Sequence, residues 1–176
     1  MFKRLVVAAI LVMCAGCHGA PTYGSTRDIE PEYRPLKTIS ERPDMILNSD
    51  AVSTLGDTVY VVNLTNLLDS HPPGSVPYKA LLLHEQEHAK RQEAVHMVGW
   101  LARYLTDAKF MWNEESRGWY LELITLRNGG VTVNVPGVAS FLSSYKTIFG
   151  ARMISQVNAE AWISQVLSGQ WVPPPD

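Results

Sequence analysis

The sequence predicts an α+β domain, a small N-terminal β-hairpin or sheet followed by a helical core. β-Branched and aromatic runs come early, as "MIL" at Met45–Leu47 and "TVYVV" at Thr58–Val62. Stretches dominated by Leu, Ala, Glu, Gln, Lys and Arg begin only at about Val76. Strands therefore precede helices instead of alternating with them, which is the α+β order. With 176 residues, 46% of them hydrophobic and 18% charged, the chain can bury one sizeable core. The net charge of −2 and the lack of any basic block argue against nucleic acid as a partner.

The first residues are not expected to join that fold. "MFKR" is a short cationic start, and "LVVAAILVM" is an apolar run too short to span a bilayer comfortably. Residues 1–16 thus read as a signal peptide. "CAGC", ending at Cys17, resembles a bacterial lipobox, with Cys14 where Leu is usual. The resemblance implies cleavage before Cys17, lipidation of Cys17, and a membrane-anchored lipoprotein facing the periplasm or exterior. The alternative is an ordinary secretory cut after Ala20, which puts Pro21 after the scissile bond and His18 at a small-residue position. Both cysteines of the chain lie here. A mature domain starting at Cys17 has no thiol for a disulfide or a metal, so any metal site must use His and carboxylates. Residues 17–43 are rich in Pro, Gly, Ser, Thr and charge and read as a flexible tether. The domain is then expected over 44–170, with a tail at 171–176.

Within the domain, "MIL" and "TVYVV" flank turn-rich "NSDAVSTLGD", which predicts a hairpin or two short strands. "HPPGSVP" breaks the chain at His71–Pro77, where Ser75 can cap the next helix and Pro77 suits its first turn. One helix is expected from about Val76 to Asp107, interrupted only by Gly99, and a second from about Ala108 to Arg127, ended by "NGG". "VTVNV" reads as extended. Further helices are expected over Val138–Phe149 and about Ala151–Leu167. Trp100, Trp112, Trp119 and Trp162 are spaced as core residues.

The chemistry centres on "LLLHEQEH". His84 and His88 stand four positions apart, so on a helix they stack on one face. Two imidazoles so placed can share one tetrahedral Zn2+. Glu85 sits one step round the helix, where its carboxylate can take a proton from an attacking water. Leu81, Leu82 and Leu83 bury the preceding turn. His84-Glu85-Gln86-Glu87-His88 is the HExxH signature of zincin metallopeptidases, and the chain resembles that group over His84–Glu122. Glu87 departs from it, since zincins usually keep uncharged residues there.

The resemblance implies zinc-dependent hydrolysis of a peptide or protein substrate by a zincin-like helical core, and it calls for a third ligand. Arg91 and Ala94 stand where a metzincin has Gly and His. His96, two turns past His88, is too far to close the site from the same helix. The gluzincin version takes a Glu from the next helix, and "NEES" offers Glu114 and Glu115. Met111, Trp112, Glu115, Trp119, Glu122, Leu123 and Leu126 share the most apolar face of that helix, which should pack on the first. Glu115 interrupts this stripe and is the preferred ligand, with Glu114 the alternative. The acidic residue that relatives often place one turn later is missing, as Gly118 and Trp119 stand there. Glu122 reads either as a partner that orients an imidazole or as a plain helix Glu.

An oxyanion donor is also needed, and Tyr145 is named ahead of His71 and Arg152. "DTVYVV" can serve either as the edge strand that receives an extended substrate or as an ordinary sheet strand. The competing class is a non-enzymatic envelope scaffold whose zinc is structural or absent.

Overall fold

The computed structural model describes residues 24–42 and 52–175. The expected signal peptide, Cys17 and the "MIL" segment lie outside the described residues. The chain is α+β, with a small sheet first and helices after it.

The sheet contains β1 (Thr26–Asp28), β2 (Thr38–Glu41), β3 (Ser53–Leu55) and β4 (Thr58–Val61), in the order β1-β2-β4-β3. β1 pairs antiparallel with β2, β2 parallel with β4, and β3 antiparallel with β4. β4 forms a hairpin with β3, a strand inside the stretch expected as turn, around Gly56-Asp57, where Gly56 takes a φ of 62° that favours glycine. "DTVYVV" is not an edge strand: β4 lies between β2 and β3, and β3 is the last strand in the sheet among the described residues.

The expected tether over 17–43 does not hold where it is described. Residues 24–42 contribute β1, a 3-10 turn at Pro31–Tyr33 and β2. Ile29, Tyr33, Leu36 and Ile39 are buried in the core. Two short strands with a tight turn between them give these apolar residues neither a two-residue nor a 3.6-residue period. The segment therefore resembles a loop in sequence.

Six helices follow among the described residues: α1 (Leu64–Ser70), α2 (Val76–Val95), α3 (Met97–Thr106), α4 (Ala108–Asn128), α5 (Val135–Ser144) and α6 (Gln156–Leu167). α1 was not expected. Asn63 caps it by accepting from the Asn66 N–H at 2.8 Å, and Leu64 and Leu67 bury its inner face. Ser75 caps α2 as expected, accepting from the Tyr78 N–H at 3.2 Å.

The single helix expected over Val76–Asp107 is two. His96 adopts φ 67°, ψ 114°, which no helix tolerates, and α3 leaves in a new direction. Asp107 then caps α4, accepting from the N–H groups of Lys109 and Phe110. α5 begins before Val138 and stops well before Phe149. Asn134 caps it and Pro136 sits in its first turn, so "VTVNV" leads into a helix rather than a strand. α6 starts at Gln156 rather than Ala151, because Ser155 is its cap and Arg152 bridges to Lys146. The tail expected at 171–176 is docked where described. The Trp171 ring meets Trp162 at 5.3 Å, and the Pro174 carbonyl accepts from Arg117 at 2.7 Å.

Two apolar clusters result. One joins the sheet to α1 and α2 through residues such as Ile39, Val59, Leu67 and Leu82. The other joins α4, α5 and α6 through Met111, Leu123, Leu142 and Ile163. Between them α2 packs on α4, and that seam is polar: His84, His88, Glu114 and Glu115 are buried there, with Glu85 beside them. As α2 advances from His84 through His88 to Arg91, its partners on α4 retreat from Glu122 through Glu115 to Glu114. The helices therefore run antiparallel.

Candidate metal centre

His84, His88 and Glu115 converge in this seam. Each offers one ligand atom, and the three atoms lie within 4.8 Å of one another. His84 Nε2 is 3.0 Å from His88 Nε2, His84 Nε2 is 3.7 Å from Glu115 Oε2, and His88 Nε2 is 3.5 Å from Glu115 Oε1. Ligands about 2.0–2.1 Å from a tetrahedral ion stand roughly 3.3–3.4 Å apart, so the observed separations bracket the required edges. Two buried imidazole nitrogens facing each other at 3.0 Å share either a proton or a metal ion. The donor set of two imidazoles and a carboxylate therefore fits a metal ion.

Glu122, two turns along α4 from Glu115, lies 2.8 Å from His84 Nδ1. Accepting a proton there leaves His84 Nε2 free to face the centre. Gly118 makes room for the same imidazole, because a Cβ built on it would stand 2.7 Å from His84 Nε2. The missing acidic residue one turn after Glu115 is thus replaced by an empty position and a longer reach from Glu122. His88 is held less firmly, since its buried Nδ1 finds no partner among the described residues.

Glu114 is as buried as Glu115 but serves another purpose. It accepts from Arg91 Nε at 2.6 Å, Arg91 Nη2 at 2.8 Å and Trp100 Nε1 at 2.9 Å. Burial favours its neutral form, but the guanidinium and the indole N–H outweigh this and hold its pKa below the usual range. The apolar stripe singled out Glu115 for an incomplete reason. Met111 and Leu123 face the α4–α6 cluster rather than α2, and Trp112 meets Trp162 edge-to-face at 5.0 Å.

The charges at the centre support one another. Burial would lower the His84 pKa, but Glu115 and Glu122 outweigh it and raise it well above the ordinary imidazole value. Burial would raise the Glu115 pKa, but His88 and His84 bring it down to about 2 in the metal-free protein. Glu85 is not one of the three donors. Thr54, on β3, donates to its Oε2 at 2.7 Å. β3 is fastened to the same helix by Gln92, which donates to the Thr54 carbonyl and accepts from the Gly56 N–H, both at 2.8 Å.

Two tyrosines face this group. Tyr104, on α3, donates to Glu115 Oε1. The hydroxyl of Tyr145, at the end of α5, makes no hydrogen bond among the described residues. Burial, and after it the neighbouring Glu115 and Glu85 carboxylates, raise both phenol pKa values well above 10.0, so both keep their protons. The other donors considered lie elsewhere. His71 ends α1 beside Ser70, and Arg152 is exposed.

Sequence reasoning missed Tyr104, Thr54 and Gly118. A continuous helix to Asp107 would carry Tyr104 roughly 24 Å past His88, and only the break at His96 returns it. Thr54 sat in a stretch read as a turn. Gly118 did carry a legible signal, since a glycine inside a helix often marks a close approach. No protein-family model, no curated protein and no solved structure matches the chain.

Proposed function

We propose that the chain is a zinc-dependent, gluzincin-like metallopeptidase that cleaves peptide or protein substrates at the bacterial cell envelope. The observation that supports this best is the convergence of His84, His88 and Glu115, with the Glu85 carboxylate beside them but outside the donor set. His84, His88 and Glu115 hold the ion. Bound there, Zn2+ supplies Lewis acidity, bringing the pKa of a water toward neutrality and polarising a carbonyl.

Glu85 is the general base. Thr54 engages its Oε2, and its Oε1 makes no hydrogen bond among the described residues, so Oε1 is free to take a proton. In hydrolysis the water oxygen bonds to the carbonyl carbon and the C–N bond breaks. The proton held by Glu85 passes to the leaving amine. Tyr145 keeps its proton, and its unclaimed hydroxyl donates to the oxygen that becomes negative. A structural zinc site fills four positions with protein ligands, whereas the described residues bring three together, which favours the enzyme over the scaffold.

Metal analysis of the full chain beside His84→Ala, followed by two charge-removing variants, tests this. Glu85→Gln should keep zinc near the wild-type content while hydrolysis of a cleaved peptide falls ~10²-fold or more. Glu115→Gln should lose zinc itself. Full activity in Glu85→Gln, or no more zinc in the wild type than in His84→Ala, would refute the mechanism.

A further inference from the structure

Glu115 has two carboxylate oxygens, and both face the imidazoles: Oε1 lies 3.5 Å from His88 Nε2 and Oε2 lies 3.7 Å from His84 Nε2. The imidazoles alone do not decide which oxygen binds an ion, or whether both do. Tyr104 breaks that symmetry, because its hydroxyl donates to Oε1 only.

The phenol is itself fixed from behind. Its ring stacks on Trp100 at 4.8 Å with 16° between the planes. The Trp100 N–H donates to Glu114, and Glu114 is clamped by Arg91 of the helix that carries both histidines. A closed circuit therefore runs from α2 through Arg91, Glu114, Trp100, Tyr104 and Glu115 back to His88. α3 enters it with two donors one turn apart, each aimed at one of two adjacent carboxylates on α4.

We propose that Tyr104 is a positioning residue for the metal ligand. By holding Oε1 it makes Glu115 coordinate through Oε2 alone, which keeps the site four-coordinate with one position open. This goes beyond the proposed function but rests on its metal centre. A carboxylate that swings to two-point binding fills a position the reaction needs, and a carboxylate without its hydrogen-bond partner is a weaker, less well-placed ligand.

The test uses the full chain, wild type and Tyr104→Phe, with Zn2+ affinity measured by competition with a chromogenic chelator. Melting temperature in excess chelator and the visible spectrum of the Co2+-loaded protein are recorded beside it. Tyr104→Phe should bind Zn2+ ~10–100-fold more weakly, the usual effect of removing a partner of a ligand. Its metal-free melting temperature should fall only by the few degrees that one lost hydrogen bond to a buried carboxylate costs, and the intense bands of four-coordinate Co2+ should weaken. Unchanged Zn2+ affinity and an unchanged cobalt spectrum would overturn the proposal and leave the metal centre standing. A lowered melting temperature with an unchanged cobalt spectrum would assign Tyr104 to packing and also overturn it. A wild type that takes up no more Zn2+ than His84→Ala would overturn the metal centre and the role of Tyr104 together.

Discussion

Gly118→Ala separates the metal site from the fold that carries it. In an exposed helix interior, Ala for Gly stabilises by about 1 kcal/mol. At position 118 the new Cβ would stand 2.7 Å from His84 Nε2 and 3.0 Å from His84 Cγ. His84 Cδ2 would stand closer still, and non-bonded heavy atoms settle at about 3.5–4.0 Å, so the imidazole must retreat by roughly 1 Å. A metal–ligand distance tolerates only about 0.2 Å, so His84 would leave the ion's reach. Overpacking costs about 1–3 kcal/mol, which the gain in helix propensity partly offsets, so the metal-free protein should lose no more than about 2 kcal/mol. Zn2+ affinity should fall by more than ~100-fold, exceeding the loss of a ligand's hydrogen-bond partner. Chelator competition reads the affinity, and thermal unfolding in excess chelator reads the fold. Gly99→Ala is the control. Gly99 is an exposed glycine of α3 whose added Cβ would meet nothing within 4 Å. It should stabilise by about 0.5–1 kcal/mol and leave zinc binding unchanged. If Gly118→Ala binds zinc as tightly as the wild type, His84 does not hold an ion from the position described.

Two further outcomes concern pH and the N-terminus. In the metal-free protein, Glu115 ionises at about 2 against an ordinary 4.5, so its stabilisation is full above pH 4.5 and is lost as pH falls toward 2. His84 has the opposite sign: its pKa is raised well above 6.5, so its contribution is full below pH 6.5 and is lost as pH rises through the raised value. Melting temperature in chelator should therefore fall on both sides of a maximum, and the rise produced by added Zn2+ should grow with pH, because the ion replaces a proton at His84. A zinc-induced rise that shrinks with pH would exclude His84 as a ligand. At the N-terminus, Cys17→Ser should abolish incorporation of labelled fatty acid and release from the membrane fraction any protein that is still exported; unchanged labelling would exclude a lipid anchor at Cys17.

What the sequence disclosed depended on how far apart the cooperating residues stood. His84, Glu85 and His88 belong to one helical turn, so their relation was fixed once a helix was expected. Glu115 was one long helix away, and antiparallel packing of two amphipathic helices brought it back. Tyr104 was hidden by one backbone angle: nothing in "EAVHMVG" announces that His96 takes a positive φ, since glycine or asparagine usually marks such a place. The sheet segment before β2 was hidden differently. Its apolar residues Ile29, Tyr33, Leu36 and Ile39 are buried by a turn and two three- or four-residue strands, elements too short to leave a period. Glu114 shows the limit of arguing from stripes. A buried salt bridge and a metal site both demand a buried carboxylate, and only the position of Arg91 on the facing helix distinguishes them.

The charge of the seam makes its own case for an ion. Arg91 neutralises Glu114, so that pair is satisfied within the protein. Around the two imidazoles stand Glu85, Glu115 and Glu122, with side-chain exposures of 5% at Glu115 and 15% at Glu122, while Glu85 is buried. His84 and His88 face these carboxylates, and Thr54 and Tyr104 donate to two of them. An uncompensated carboxylate in such surroundings costs several kcal/mol. Packing alone gives no reason for a fold to set three carboxylates around two histidines, between two apolar clusters that could have met directly. A divalent cation bound between His84 and His88 would add positive charge to this cluster of carboxylates.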